Sequence, residues 1–232
     1  MKDIFDDYVA NSFGAEEQAT GKFKQFEKNY KHYFPENRDA KLLDIGIGRG
    51  EMLTMMSAWH YSNYLGIDIS LSTVAFCEGL GLNTLLVADS LHYLHDNIAQ
   101  YDVITMLDVL EHIKKENIIP YLKALKSSLS ENGVLIIQVP NLQAPDGYLH
   151  RYNDITHEVG FIEHSLTQVL LAAGFTKFEF HGFEELLLNT AKEYLRRFIR
   201  KLYWKIVRIL RWSNGNINPK ILNPVFYVVV YK

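Results

Sequence analysis

The sequence has a single cysteine, Cys77, among its 232 residues, so an internal disulfide is impossible and a reducing compartment is the simplest expectation. No run approaches the ~20 apolar residues of a membrane-spanning helix. The opening residues MKDIFDDYVANSF lack the apolar core of a secretory signal. A formal net charge of −3 is too mild for a nucleic-acid footprint over the whole molecule. These absences predict a soluble cytoplasmic protein that binds no nucleic acid.

Apolar and amphipathic segments alternate along most of the chain. Short runs rich in Leu, Ile and Val predict strands at residues 41–45, 64–68, 84–87, 101–106 and 133–139, and two more at 175–181 and 225–231. Amphipathic patterns predict helices at 16–33, 117–129 and 163–173, the last ending at the C-cap residue Gly174. This order predicts a doubly wound α/β fold: a seven-stranded, mostly parallel sheet with helices on both faces. We expect an N-terminal helical segment at 1–36 and one main domain at 37–232, with a helical insertion at about 184–222.

A glycine-rich turn follows the first predicted strand, in LLDIGIGRGEML. The strand ends at Asp44 and runs into Gly46, Gly48 and Gly50, which let the backbone turn tightly and a ligand approach closely. A dinucleotide site needs G-x-G-x-x-G, but Glu51 occupies the third glycine position here. Carboxylates beside this loop suit a cationic ligand group, such as an ammonium, better than a pyrophosphate.

Four motifs in succession resemble the class I S-adenosylmethionine-dependent methyltransferases. These motifs are D-x-G-x-G-x-G after the first strand, the acid ending YLGIDIS, the Ala-Asp-Ser after the third strand, and YDVITMLDVLEHI at the fourth. The resemblance implies S-adenosylmethionine as cofactor, its amino-acid part at the glycine loop, its ribose at Asp68 and its adenine near Asp89. The cofactor residues it implies are Asp44, Gly46, Gly48, Gly50, Asp68, Ile69, Asp89, Ser90 and Leu107.

Methyl transfer to a hydroxyl needs a positioned base, and histidines follow the fourth and fifth strands. His112 lies in DVLEHI, and Asp154 lies three residues before His157, so in a turn this carboxylate could orient the imidazole. We therefore expect His157, Asp154 and His112 to be catalytic. The loop that follows the fifth strand resembles that of methyltransferases from bacterial polysaccharide clusters. In this loop, His150, Arg151 and Tyr152 have side chains that could hold a sugar or an acidic group, and we expect them to bind the acceptor. No spacing resembles a zinc signature, so no metal site is predicted. A divalent metal stays a minor alternative, because a group of His, Asp and Glu this dense could bind one and some sugar methyltransferases of this fold use magnesium.

Residues 190–212 form a strongly basic amphipathic pattern. Residues 191–212 contain eight Lys and Arg and one Glu, a net +7, so the rest of the chain carries −10. Apolar residues recur at helical spacing, and most basic residues fall on the opposite side. Such a helix fits an anionic membrane surface, but packing on the protein core or a homodimer contact would give the same pattern.

The sequence thus predicts a methyltransferase that O-methylates a sugar hydroxyl of a bacterial surface glycan or of its lipid-linked or nucleotide-activated precursor. A methyltransferase of a small lipid or quinone-type metabolite is the alternative among enzymes. A non-catalytic cofactor-binding subunit of the same fold is the alternative outside them.

Overall fold

The fold is a single seven-stranded sheet with helices on both faces, as predicted. The computed structural model describes residues 19–185 and 189–232. The strands, numbered along the chain, are β1 (Leu42–Ile45), β2 (Tyr64–Asp68), β3 (Thr84–Leu86), β4 (Tyr101–Leu107), β5 (Leu129–Pro140), β6 (Lys177–Gly182) and β7 (Val225–Tyr231). Their order in the sheet is β3-β2-β1-β4-β5-β7-β6. β1 to β5 pair in parallel, whereas β7 runs antiparallel to both of its neighbours.

The helices occupy the connections between strands and precede β1. They are α1 (Ala19–Tyr30), α2 (Glu51–Ala58), α3 (Leu71–Gly79), α4 (Ser90–Asp96), α5 (Ile118–Ser128), α6 (Gly147–Tyr152), α7 (Glu163–Ala172) and α8 (Ala191–Ser213). Short 3-10 turns cover Lys31–Tyr33, Leu110–His112 and Lys115–Asn117. Residues 1–18 of the predicted N-terminal segment and 186–188 of the predicted insertion lie outside the described residues.

Two apolar clusters, one on each face of the sheet, form the core. Alternate residues of one strand enter opposite clusters: Leu135 and Ile137 of β5 pack on one face and Ile136 on the other. The first face is covered by α5 and α7, and the second by α1, α2 and α3. Burial on both faces explains why these strands are continuous apolar runs rather than alternating ones.

The strand predicted at 175–181 begins two residues later in the structure, at Lys177. Gly174 has φ +90°, and the Phe175 amide donates to the Leu170 carbonyl, so Phe175 belongs to the C-cap of α7. Gly174 therefore ends the helix as expected, and the cap delays the strand.

Helix α8 lies between β6 and β7, with its apolar side exposed to solvent. Glu193, Arg197, Arg200, Trp204 and Arg211 are buried or partly buried, which places them on the side that faces the protein. Leu195, Phe198, Leu202 and Ile206 are 58%, 66%, 51% and 47% exposed. Packing of this apolar face on the core, one of the three predicted alternatives, is therefore wrong.

Arginine contacts fasten α8 to the rest of the chain. Arg200 forms an ion pair with Glu184 at 3.6 Å, and Arg211 donates to the Gln143 carbonyl at 2.6 Å. Arg208 donates to the Lys220 carbonyl at 3.2 Å. Because polar contacts hold its inner side, the helix can present its apolar side outward. No helix of the described residues combines the length and apolar character needed to cross a membrane.

Candidate cofactor and acceptor site

A cleft of about 1350 Å³ opens at the carboxyl ends of the parallel strands, where open α/β sheets bind ligands. The chain reverses its direction of winding between β1 and β4, and the cleft lies at this switch point. Most of the predicted site residues line it: Asp44, Gly46, Gly48, Asp68, Ile69, Asp89, Ser90, Leu107, His112, His150, Asp154 and His157.

The three loop glycines have positive φ, but they serve different purposes. Gly46 has φ +74°, and a Cβ there would lie 2.3 Å from a methyl carbon of Val109. Gly48 has φ +52° and lines the cleft. Gly50 does not line the cleft: it is the N-cap of α2, and a Cβ there would meet Leu82 at 2.5 Å. The expectation that Gly50 holds cofactor is thus replaced by a role in packing the loop against the protein.

Asp44 is a buried carboxylate at the base of the glycine loop. It is 3% exposed, and its Oδ1 accepts a hydrogen bond from Thr105 Oγ1 at 2.6 Å. Burial raises the pKa of Asp44 to about 7, against the opposing effect of the Thr105 bond, and the nearby carboxylates Glu51 and Asp68 add to the rise. A cation placed in the cleft beside Asp44 would favour its charged form.

Asp68 and Asp89 end or follow neighbouring strands and also contribute to local structure. Asp68 Oδ1 accepts from the Ser70 amide at 2.8 Å. Burial raises the pKa of Asp68, although backbone N–H groups that bond to the carboxylate act against the rise. Asp89 is the N-cap of α4 and accepts from the amides of Leu91 and His92. Both acids face the cleft, so the capping roles do not exclude the predicted ligand contacts.

At the other end of the cleft, a hydrogen-bond relay fixes the His112 ring. Thr156 Oγ1 donates to Asp154 Oδ1 at 2.6 Å, so its single proton is used and its lone pairs face His112 Nδ1 at 2.8 Å. His112 therefore carries its proton on Nδ1, and its Nε2 bears the lone pair. Burial acts to raise the pKa of Asp154, but the two hydrogen bonds from Thr156 outweigh it and the pKa is lowered.

The His157 ring is held by a different partner from the one predicted. Its Nδ1 lies 2.7 Å from the His150 carbonyl oxygen, which can only accept, so the proton again lies on Nδ1 and the lone pair on Nε2. Asp154 thus orients His112 through Thr156, rather than His157 directly. The two rings lie edge to face with centroids 4.7 Å apart. Burial, and then the neighbouring His157, lowers the pKa of His112.

Two further acidic residues line the cleft near these rings, the buried Glu111 and the solvent-exposed Asp108, and the sequence predicted no role for either. Asp108 has φ +54° and accepts from Gln138 Nε2 at 2.7 Å. Glu111 is 2% exposed, and among the residues that the structure describes, no other residue forms a hydrogen bond to either of its carboxylate oxygens. Burial and the neighbouring Asp108 raise the pKa of Glu111 well above its ordinary value. Spacing in the chain gave no sign of this, because the burial comes from tertiary packing.

The loop that carries His157 is tied to this acidic segment. The amides of Glu158 and Val159 both donate to the Glu111 carbonyl, at 2.8 and 3.1 Å. His150 comes with the loop into the cleft, but Arg151 and Tyr152 do not line it. Arg151 donates to the Glu158 carbonyl and lies over the Tyr152 ring, which is 79% exposed. The structure therefore does not bring these two predicted acceptor residues to the site.

Helix α1 supplies cleft residues that sequence reasoning missed. Lys22, Gln25 and Phe26 line the cleft, and Lys22 Nζ pairs with Glu51 Oε1 at 2.9 Å. Farther along the helix, Tyr30 is fully buried and donates to Gln138 Oε1. No motif in the sequence of α1 indicates a binding site, because its partners in the cleft, Glu51 and Gln138, are far from it along the chain.

Comparison with solved structures identifies the same architecture in methyltransferases. An S-adenosylmethionine-dependent methyltransferase from Archaeoglobus fulgidus superposes with a TM-score of 0.71 at 22% identity, over 99% of this chain and 98% of that one. Phosphoethanolamine N-methyltransferase 2 of Haemonchus contortus, in complex with S-adenosyl-L-methionine, gives 0.62 at 15% identity, over 98% and 60%. The plantazolicin methyltransferase BpumL, in complex with SAH, gives 0.61 at 18% identity, over 100% and 91%.

Sequence comparison assigns the chain to a family. No curated protein matches it significantly. The model of the family described as "Methyltransferase domain" matches residues 18–179, more than half of the chain. This match covers the glycine loop, the acids after β2 and β3, and the histidine loop. The chain belongs to this methyltransferase-domain family.

Proposed function

We propose that this methyltransferase transfers a methyl group from S-adenosylmethionine to a hydroxyl of a sugar in a bacterial surface glycan or its lipid-linked or nucleotide-activated precursor. The observation that carries the proposal is the imidazole pair His112 and His157. Each Nδ1 carries the ring proton and donates it in a hydrogen bond, so the lone pair of each ring is on Nε2, and both rings line the cleft that the glycine loop enters. A hydroxyl requires such activation before it attacks, whereas the sulfonium is already a good leaving group.

The cofactor is the part of the proposal that family membership supports directly. Its cationic amino-acid end fits the glycine loop, where Asp44 supplies a carboxylate, and its ribose fits Asp68 at the end of β2. Its adenine fits the exposed apolar side chain of Ile69, which lines the cleft beside Asp89. This orientation directs the methyl group toward the opposite end of the cleft, where the two imidazoles lie.

The acceptor hydroxyl is activated at the imidazole pair, where an Nε2 lone pair can take the hydroxyl proton directly or can bind a cation that makes the hydroxyl more acidic. By either route the hydroxyl oxygen attacks the methyl carbon as the carbon–sulfur bond breaks. The products are the methyl ether and S-adenosylhomocysteine. The Asp154–Thr156 relay holds His112 in the required tautomer, and the His150 carbonyl does so for His157.

The direct test is transfer of labelled methyl groups to an extract of lipid-linked glycans, followed by location of the label. His157→Ala should lower turnover by about 10²-fold or more while cofactor affinity stays nearly unchanged. His92→Ala is the matched control, because this histidine is exposed and outside the cleft. Label in a lipid or quinone fraction would contradict the sugar acceptor. Cofactor binding without transfer to any fraction would contradict the enzyme itself.

We also propose that α8 docks on an anionic membrane surface, which would bring the cleft to a lipid-linked acceptor. Its exposed apolar side can enter the interface, and charges beside it can contact anionic headgroups. The exposed basic residues are those not used to fasten the helix to the protein: Lys192, Arg196, Lys201 and Lys205. Charge complementarity therefore favours an anionic lipid surface over a second copy of the same cationic helix.

Co-sedimentation with vesicles tests this proposal. Binding should rise with the fraction of anionic lipid and fall with salt, and Gln at all four exposed basic positions of α8 should abolish it. Gln at four exposed lysines elsewhere is the charge-matched control: Lys24, Lys28, Lys115 and Lys123. Equal loss in the control, or salt-insensitive binding to neutral vesicles, would contradict the electrostatic argument. A stable dimer in sedimentation, with no lipid binding, would assign the apolar face to a homodimer instead.

A further inference from the structure

We infer that Glu111, His112 and His157 form a binding site for one divalent transition-metal cation. One ligand atom from each residue lies within 4.8 Å of the other two, close enough for a single ion to bind all three. The ligands come from distant parts of the chain, the 3-10 turn Leu110–His112 and the loop after β5. This explains why no zinc-type spacing is present in the sequence and why no metal site was predicted.

The outer contacts of both histidines are those that metal ligands require. A ligating imidazole binds through one nitrogen and donates its other N–H to a carboxylate, carbonyl or similar acceptor, which fixes the tautomer. His157 donates from Nδ1 to the His150 carbonyl, and His112 donates to Thr156, which in turn donates to Asp154. Both rings are thus fixed with Nε2 as the atom that can ligate.

Glu111 provides a second and independent indication of a cation. Glu111 is 2% exposed, and within residues 19–185 and 189–232 no other residue donates a hydrogen bond to either carboxylate oxygen. A buried carboxylate in that condition is costly unless it is protonated or paired with positive charge. The imidazoles of His112 and His157 lie within 4.8 Å of Glu111, and a cation held among the three side chains would supply the missing charge. The neighbouring Asp108 would add a further attractive charge.

The ligand set selects the class of metal. Two imidazoles and one carboxylate suit Zn²⁺, Co²⁺, Fe²⁺ and similar ions, whereas Mg²⁺ prefers oxygen ligands. Three protein ligands leave at least one coordination position for water or a substrate oxygen, as in catalytic zinc sites. The site lines the same cleft as the glycine loop, so this open position is available to an acceptor.

The role of the cation in transfer rests on the proposed function, although its binding does not. An acceptor hydroxyl bound to the cation would lose its proton to solvent more readily, because a metal ion lowers the pKa of an oxygen ligand. The resulting alkoxide oxygen then forms the new bond to the methyl carbon as the carbon–sulfur bond breaks. Glu111, His112 and His157 would hold the ion throughout and undergo no covalent change.

Titration of the metal-free full-length protein with Co²⁺ tests the site, with the visible absorption of the bound ion and calorimetry as readouts. We expect one equivalent to bind with absorption bands of a nitrogen- and oxygen-ligated ion. Thr156→Val, which removes an outer contact, should weaken Co²⁺ binding by roughly 10–100-fold. Glu111→Gln should weaken it further while preserving side-chain shape, and His92→Ala should leave it unchanged.

Cofactor affinity, measured on the same samples, shows that each variant is folded and separates the two proposals. Absence of the Co²⁺ bands, or Co²⁺ affinity unchanged in Glu111→Gln and Thr156→Val, would overturn the metal site. Binding of Co²⁺ as described, with no methyl transfer to glycans, would contradict only the proposed acceptor. Full transfer activity after exhaustive chelation would contradict the role of the cation in catalysis.

Discussion

The substitution Asp44→Asn should remove a pH dependence from the stability of this protein. The carboxylate is buried beneath the glycine loop, and burial raises its pKa from the ordinary value of 3.8 to about 7. In the unfolded chain the group ionises near 3.8, so between the two values the folded state binds a proton that the unfolded state does not. Stability therefore falls as pH rises through this window and is constant above it with respect to this group.

The size of the effect follows from the two pKa values. At about 1.4 kcal/mol for each pH unit between them, ionised Asp44 costs the folded state on the order of 4 kcal/mol above pH 7. Roughly 2 kcal/mol of this would be lost between pH 5.5 and 8, the range in which unfolding is easily measured. Asparagine keeps the size of the side chain and can still accept the hydrogen bond from Thr105.

Urea unfolding of both proteins across this range is the measurement. The variant should lose less stability than the parent between pH 5.5 and 8, and the difference isolates Asp44 from the other buried acids. Parallel pH profiles for the two proteins would refute the reasoning. A second readout is proton release on cofactor binding near pH 7, detected as a dependence of the calorimetric enthalpy on buffer, which the variant should lack.

Three further predictions concern the cofactor end of the cleft. Asp68→Ala should weaken S-adenosylmethionine binding by about 1.5–3 kcal/mol in calorimetry, the scale for lost hydrogen bonds to a charged group, and unchanged affinity would rule out the ribose contact. NAD should not bind in the same assay, because Glu51 replaces the third glycine of a dinucleotide loop. Gly46→Ala should reduce thermal stability and cofactor affinity, since the new Cβ would lie 2.3 Å from Val109. Gly81→Ala is the control, because Gly81 has a similar φ of +75° and a Cβ there would meet nothing within 4 Å. Equal loss in both variants would assign the effect to φ alone.

Local patterns in the sequence were sufficient to predict the sheet, and the resemblance to methyltransferases added most of the residues that line the cleft near the glycine loop. The apolar runs at β2 and β7 coincide with the observed strands, because burial on both faces demands continuous apolar residues. The glycine loop, Asp68 and Asp89 follow successive strands, and parallel strands bring their carboxyl ends to one edge. That placement depends on chain order alone, so it could be read without the structure.

The acceptor end could not be read in this way. Asp154 and His157 are three residues apart, which suggested a direct pair, but the turn directs the carboxylate to Thr156 and through it to His112. Glu111 is a candidate ligand because tertiary packing buries its side chain and because the loop that carries His157 bonds to its carbonyl oxygen.

What the sequence by itself determined was the order of elements, the positive-φ loop and the amphipathic character of α8, since each depends on residues close together in the chain. Tertiary structure decided which side of α8 faces the protein, because Arg200 and Arg211 find their partners in distant segments. It also decided which acceptor fixes each histidine ring, and it buried the Glu111 carboxylate where no other described residue forms a hydrogen bond to it. These features depend on distances between side chains far apart in sequence, and no spacing along the chain encodes those distances.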